Sequence, residues 1–388
     1  MLKLSIGGDL MCLQEETKAV RRKFGKLDYS GYLSGLKPLL ADSDYAIANL
    51  ETPIDPTQSE TDMSIQFNTP REFAKAIRTT GFDFVSTANN HCLDRGIGGL
   101  CKTVDVLDGL GFDHSGTYKT MEDSSKIFVK DIEGVKIAIV CSTFGTNSQI
   151  NGVMLPSGEE WRIDLLRTQM KFRKLPQKPD VSDGNFKTYI ADEVSSAAIS
   201  NPANLIYMNR VQDKIRKAKA VADIVIAMPH VGGQYNPGPA AYAKYVVKAM
   251  KDAGADMVIA GHPHVSQRCE AATGSAFVAY SLGNLCFTPG VGFFVQNVLS
   301  EYGIVLHAYI ETASKKLKKV TFDVVKSIVD DDGCAHSVPV VELLANEKNA
   351  AKLDRLLMEN EAVVNRFRGS AHEVRPRREY GIDGVVND

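Results

Sequence analysis

Asp9, Glu51, Asn90, His91, His230, His262 and His264 stand where runs of apolar residues give way to polar ones. The densest case is Ser86-Thr87-Ala88-Asn89-Asn90-His91-Cys92-Leu93-Asp94-Arg95-Gly96. An asparagine amide oxygen is a hard ligand, and a neighbouring imidazole can bind metal or move protons near neutral pH. An isolated Asn-Asn-His would read instead as a polar loop with an Asx turn and a helix N-cap. Here the same pattern recurs. Gly261-His262-Pro263-His264 places two histidines at i and i+2 around a proline, a rigid turn from which both can reach neighbouring metals. Of eight histidines, His230, His262 and His264 end strand-like runs, which favours ligands over structural side chains.

The elements that must carry these residues follow from periodicity. Leu2, Leu4 and Ile6 alternate as a strand, which Gly7-Gly8-Asp9 is expected to end, and a helix follows from about Glu15 to Phe24. Tyr45–Ala48 runs into Asn49-Leu50-Glu51-Thr52-Pro53, where proline stops the strand. Thr69-Pro70-Arg71-Glu72 reads as a capped helix start with proline first, and that helix leads to the strand Phe82–Ser86. Leu100, Val104, Leu107 and Leu110 have helical spacing. Val135–Thr143 is nearly all apolar, as in a sheet covered on both faces. A helix from Asn209 to Val221, a strand 223–228, a helix through Tyr242, Val246 and Met250, and a strand 256–260 continue the alternation. Such an alternation predicts an α/β protein with its chemistry beyond the carboxyl ends of the strands.

Phe277–Asn284 reads as one more strand and turn, with Ser281 and Asn284 able to bridge loops. Gly303–Ile310 and Lys316–Val329 alternate as an antiparallel pair, so His307 is a strand residue and not a ligand. The pattern dissolves between residues 145 and 204, a stretch with the only tryptophan, Trp161, and a basic run from Arg167 to Lys178. It reads equally as a substrate-facing lid and as a surface excursion. The expected division is a core over residues 1–330, interrupted by the 145–204 insertion, then a helical extension and tail over 331–388.

Composition narrows the classes. Hydrophobic content of 44% and charged content of 24% suit a globular protein with a sizeable core. Lys and Arg total 45 against 47 Asp and Glu, a net charge of −2, so no bulk field calls for nucleic acid or anionic membrane. Seven scattered cysteines without a C-x-x-C pair argue for a reducing compartment. No apolar run approaches the roughly 20 residues of a membrane span. With no signal-like N-terminus, the expected location is cytoplasmic.

Gly-Asp near the N-terminus, Asn-Leu-Glu-Thr-Pro, Ala-Asn-Asn-His-x-x-Asp-x-Gly, His-x-Gly-x-x-Tyr, His-Pro-His and Tyr-Ser-Leu-Gly-Asn occur here in order. The set resembles the CapA family of bacterial poly-γ-glutamate capsule-synthesis proteins, a branch of the calcineurin-like metallophosphoesterases, from about Leu2 to Phe287. The resemblance implies a four-layer α/β/β/α sandwich with a two-metal site at one edge, holding divalent Mn, Fe or Zn. By position it puts Asp9 and His264 on a first metal, Glu51 as the bridging carboxylate with Asn49 close by, Asn90 as the asparagine ligand, and His230 and His262 on a second metal. His91 is the implied catalytic acid, with Asp94 of the same motif as the second catalytic residue. The implied activity is hydrolysis of a phosphoester or of a γ-glutamyl or capsule-related polymer. The alternative is a non-catalytic part of a capsule or poly-γ-glutamate synthesis and export assembly.

Three departures bear on that expectation. The wider superfamily has Asp-x-His in its first motif, whereas Asp9 is followed by Leu10 and Met11. Gln14 stands where relatives often carry Arg. Val231 and Gln234 replace the Trp and Glu of His-Trp-Gly-x-Glu-Tyr, which alters support around the site.

Overall fold

Successive residues of the strands face different cores, and that alternation builds the layers. The computed structural model describes residues 1–58, 66–171, 199, 201–271, 274–288, 298–382 and 384. β1 (Leu2–Leu10), β2 (Tyr45–Leu50), β3 (Phe84–Ser86) and β4 (Asp113–Ser115) are parallel neighbours in one sheet. β5 (Val129–Ile132), β6 (Val135–Thr143), β7 (Ile224–His230), β8 (Met257–Ile259), β9 (Ser266–Glu270) and β10 (Phe277–Leu282) form a second sheet, ordered β5-β6-β7-β8-β10-β9. The chain then returns to the first sheet. β11 (Asn284–Cys286) pairs with the end of β1, and β12 (Tyr302–Glu311), β13 (Lys316–Val329) and β14 (Ala335–Pro339) extend that sheet with antiparallel pairing. β15 (Tyr380–Gly381) pairs with β13.

Leu4, Ile6 and Ile47 from the first sheet meet Ile137, Ile226 and Phe277 from the second in a core between the sheets. Their neighbours Ala46, Ala48 and Val85 turn the other way, onto Leu36, Phe73 and Ile77 of outer helices. Val225, Val258 and Val278 do the same on the far side, against Ile215, Val246 and Met250. The result is a four-layer α/β/β/α sandwich, in which each sheet buries both faces.

Several local expectations need correction. β1 does not end at Gly7-Gly8 but continues to Leu10, with its register shifting between Ile6 and Asp9 along β2. The glycines serve a close approach instead of a turn. A Cβ on Gly8 would lie 1.9 Å from the Gly283 carbonyl oxygen, and one on Gly7 would lie 2.2 Å from a Leu285 methyl. Gly283, at φ 72°, is where the chain leaves the second sheet for the first, and its carbonyl accepts from the Asp9 amide at 2.9 Å. Glycine is needed at Gly8 and Gly283, where a Cβ would meet backbone, for the strands to cross, whereas at Gly7 the Leu285 side chain would have to shift.

Thr69 does not cap the helix Arg71–Thr80, whose N-cap is Pro70; its hydroxyl pairs with that of Thr52 at 2.7 Å. The helix expected from Asn209 starts earlier, at Pro202, behind an Asn201 cap. The stretch after residue 330, read from sequence as helical, also supplies β14 and β15. Its long helix Ala350–Arg368 buries Val363, Val364 and Phe367 in the core between the sheets. Of the 145–204 insertion, residues 172–198 and 200 lie outside the described residues, as does most of the basic run. Its first part packs closely. Leu166 joins the helix-covered core of the second sheet, and Leu155, Ile163 and Leu165 cluster with Leu93 and Leu100.

Candidate metal centre

Asp9 lies near the end of β1, Asn49 near the end of β2 with Glu51 one residue beyond it, and His230 ends β7. Asn90 and His91 follow β3 on the polar elbow, and His262 and His264 follow β8. Because β1, β2, β3, β7 and β8 run the same way within their sheets, these ends gather at one edge of the sandwich. The turn after β8 is under backbone strain, with His262 at φ 97° and His264 at φ 56°. Tyr235, also left-handed at φ 57°, donates its amide to the Pro263 carbonyl at 2.7 Å and steadies that turn. Residues other than glycine held in this region cluster at functional sites.

The structure brings two overlapping groups of ligand atoms together, each within 4.8 Å: Asp9, Glu51 and His230, and Glu51, His262 and His264. Glu51 belongs to both. The grouping differs from the positions that the resemblance implies, since His264 stands with His262 and Asp9 with His230. The two sets are nonetheless contiguous, because His264 Nδ1 lies 3.5 Å from Asp9 Oδ2. Asn90 borders the first group, with Oδ1 2.8 Å from His230 Nε2. Asn49 ties the carboxylates, donating to Asp9 Oδ1 at 2.8 Å. Asn284 accepts from His264 Nδ1 at 3.0 Å and donates to the His264 carbonyl, which turns His264 Nε2 toward Glu51.

Electrostatics and unsatisfied atoms both fit a cation. Glu51 and His262 are fully buried. Among the described residues, Glu51 Oε1 and both ring nitrogens of His262 have no hydrogen-bond partner, an arrangement that ordinarily costs about 1–3 kcal/mol per group. Burial raises the Asp9 carboxyl, but the hydrogen bond from His264 and the charges of His230 and His264 outweigh it, so its pKa lies below the usual value. Burial pulls His264 down, yet the charges of Glu51 and Asp9 push it up to about 9. His262 is driven well below the ordinary histidine value by burial, then by His230 and His264. Two buried carboxylates thus draw positive charge into the cluster while a neutral imidazole waits beside them without a partner. A divalent metal satisfies both demands, and carboxylate with imidazole suits Mn, Fe or Zn.

His91 and Asp94 form a separate pair. His91 Nδ1 lies 2.6 Å from Asp94 Oδ2, which also accepts from the Phe67 amide at 2.8 Å. The Phe67 ring stacks on the His91 ring at 3.9 Å between centroids. Burial raises Asp94 above the usual carboxylate range, with His91 partly opposing. His307, read as structural, pairs with Ser5 and Asp323 inside the first sheet, away from these residues. Met11, where a ligand histidine was missing, packs with Leu13, Phe287 and Phe67.

Asn147 and Asn89 escaped the sequence reading. Asn89 donates to the Leu50 carbonyl and to Asn49, and it fixes the elbow against β2. Asn147 pairs with Asn90 through its side chain and its backbone amide, at 3.1 and 2.8 Å. A signal existed, because Asn147 follows β6 as Asn90 follows β3. The aperiodic stretch around it hid the correspondence.

Comparison with known proteins gives the family of the chain. A family model described as bacterial capsule synthesis protein PGA_cap matches residues 3–289. The chain is 26% identical over 294 residues to a capsule biosynthesis protein CapA of Bacillus anthracis, covering 74% of this chain and 60% of that one. It is 26% identical over 293 residues to a PGA biosynthesis protein CapA of Bacillus subtilis, covering 75% and 64%. The chain therefore spans less than two thirds of the length of these curated relatives. A solved structure described as a novel phosphatase from Mycoplasma pneumoniae aligns with 84% of this chain and 93% of that one, at a TM-score of 0.43 and 11% identity. Among the described residues no helix is long and apolar enough to cross a membrane. With the family model matching most of its length, the chain belongs to the bacterial capsule synthesis protein PGA_cap family.

Proposed function

We propose that this protein is a metal-dependent hydrolase acting on a phosphoester, or on a γ-glutamyl or related linkage of a capsule polymer. One observation carries the reading: Glu51 Oε1 and both His262 nitrogens are buried without hydrogen bonds among the described residues, amid two overlapping ligand groups. Asp9, Glu51, Asn90, His230, His262 and His264 would hold the metal, with Glu51 common to two positions. When bound, a divalent metal pair lowers the pKa of water and neutralises charge on the reacting oxygens. The protein's own share is positioning and proton movement. Asn49 and Asn284 orient Asp9 and His264. Asp94 accepts from His91 Nδ1 and so leaves Nε2 as the nitrogen able to give a proton to a leaving oxygen.

Purified protein should hydrolyse an aryl phosphodiester or release glutamate from a γ-glutamyl polymer, with turnover abolished by chelator and restored by Mn, Fe or Zn. No turnover of either substrate by metal-loaded protein would end the hydrolase reading. A second reading, a non-catalytic component of a capsule-synthesis assembly, is favoured by Met11. That residue, 3% exposed in an apolar cluster, stands where the superfamily places a ligand imidazole. Metal-loaded but inert protein is its expected result.

A further inference from the structure

We propose that Asn147, at the head of the insertion, is the positioning residue for His91, locking its ring against Phe67 while holding Asn90 in place. The inference rests on the reading of His91 as the proton donor. Asn147 Nδ2 lies 3.3 Å from Nδ1 and 3.3 Å from Nε2 of His91. An atom equidistant from both nitrogens at that range would overlap the Cε1–H if it lay in the ring plane. The amide nitrogen therefore stands over the ring face, an N–H to π contact. Phe67 lies parallel to the same ring, 8° off and 3.9 Å away, and two groups cannot share one face. His91 is thus clamped from both sides, with Asp94 fixing its edge.

The clamp is anchored on the core. Asn147 caps the short helix Ser148–Asn151, its carbonyl accepting from the Ile150 and Asn151 amides at 2.8 and 2.9 Å. Asn151, four residues on, donates to Asp94 Oδ1 at 3.1 Å, so one turn of chain holds both members of the dyad. The Ser148 hydroxyl ties that turn to the Met170 carbonyl at 2.8 Å. Asn147 Oδ1 meanwhile accepts from Asn90 Nδ2 at 3.1 Å. One amide side chain thereby couples the angle of the His91 ring to the placement of Asn90. Its donor addresses the first and its acceptor the second.

Two readouts test this. In metal-free protein labelled with ¹⁵N-histidine, the His91 ring signals, identified by their absence in His91→Ala, should shift or double in Asn147→Ala. In metal-loaded protein, Asn147→Ala should lower kcat by about 10- to 100-fold with little change in KM, the loss growing for poorer leaving groups. In a His91→Ala background the same change should cost much less, only the part that acts through Asn90. Asn147→Leu, which keeps the branched shape without the amide, serves equally if the alanine variant folds poorly. Unchanged His91 ring signals, or an equal loss with and without His91, would overturn the inference. The ring signals decide Asn147 even if no substrate is turned over, an outcome that would count against the hydrolase reading alone.

Discussion

Nδ1 of His91 and Oδ2 of Asp94 lie 2.6 Å apart, three residues from each other on the turn that follows β3. The contact orients the imidazole and separates it from the six side chains read as metal ligands. His91 therefore answers to a different experiment from its neighbours.

His91→Ala should keep metal and fold while losing about 10²–10⁴ in turnover, with a smaller loss for substrates with good leaving groups. His264→Ala should lose metal and activity together. Elemental analysis beside a leaving-group series separates the two. Normal turnover by His91→Ala, or an emptied metal site in it, would remove the acid assignment.

Asp94→Leu keeps the branched shape but strands the Phe67 amide, the Asn151 side chain and His91 Nδ1. Stranded buried donors cost about 1–3 kcal/mol each, so the variant should lose at least about 2 kcal/mol of stability along with most activity. Denaturant unfolding measures the first. A midpoint within error of wild type would show that Asp94 does not anchor the elbow.

Much of this arrangement was legible in the sequence, and its limits have physical reasons. Strand ends were readable because apolar runs must stop where polar side chains begin, and this placed Asp9, Glu51, Asn90, His230, His262 and His264 on one edge. Gly7-Gly8 misled, because glycine marks turns as readily as close backbone crossings, and only the approach of Gly283 distinguishes them. β14 and β15 were missed because short edge strands carry little alternation. The clamp on His91 was invisible, since it joins Phe67 and Asn147 across long sequence separation with no shared period.

Gly8→Ala tests the strand crossing. A methyl group 1.9 Å from the Gly283 carbonyl oxygen forces β1 and β11 apart at the residue before Asp9. Overpacking of backbone on backbone should exceed the usual 1–3 kcal/mol of a core insertion, so the variant should unfold at markedly lower denaturant. A wild-type midpoint would contradict the crossing.

Glu16 predicts a pH dependence remote from the metal centre. Burial pushes its carboxyl up to about 7, against the hydrogen bond from the Ala335 amide. Below the unfolded value of 4.5 the group is protonated in both states. Between 4.5 and about 7 only the folded state keeps the proton, so this group's contribution to stability falls as pH rises through that window. Glu16→Gln, which stays neutral, should therefore gain stability over wild type at pH 8 by roughly 1–3 kcal/mol more than at pH 4. An equal difference at both pH values would show that Glu16 is not held protonated.

The metal content of the purified protein, by elemental analysis, tests the central claim most directly. Wild type should carry close to stoichiometric transition metal and lose thermal stability on chelation, because a ligand of the native state stabilises it. His262→Ala, which removes the two unpartnered ring nitrogens, should be depleted. Wild-type protein that is metal-free and cannot be reconstituted with Mn, Fe or Zn would contradict the account.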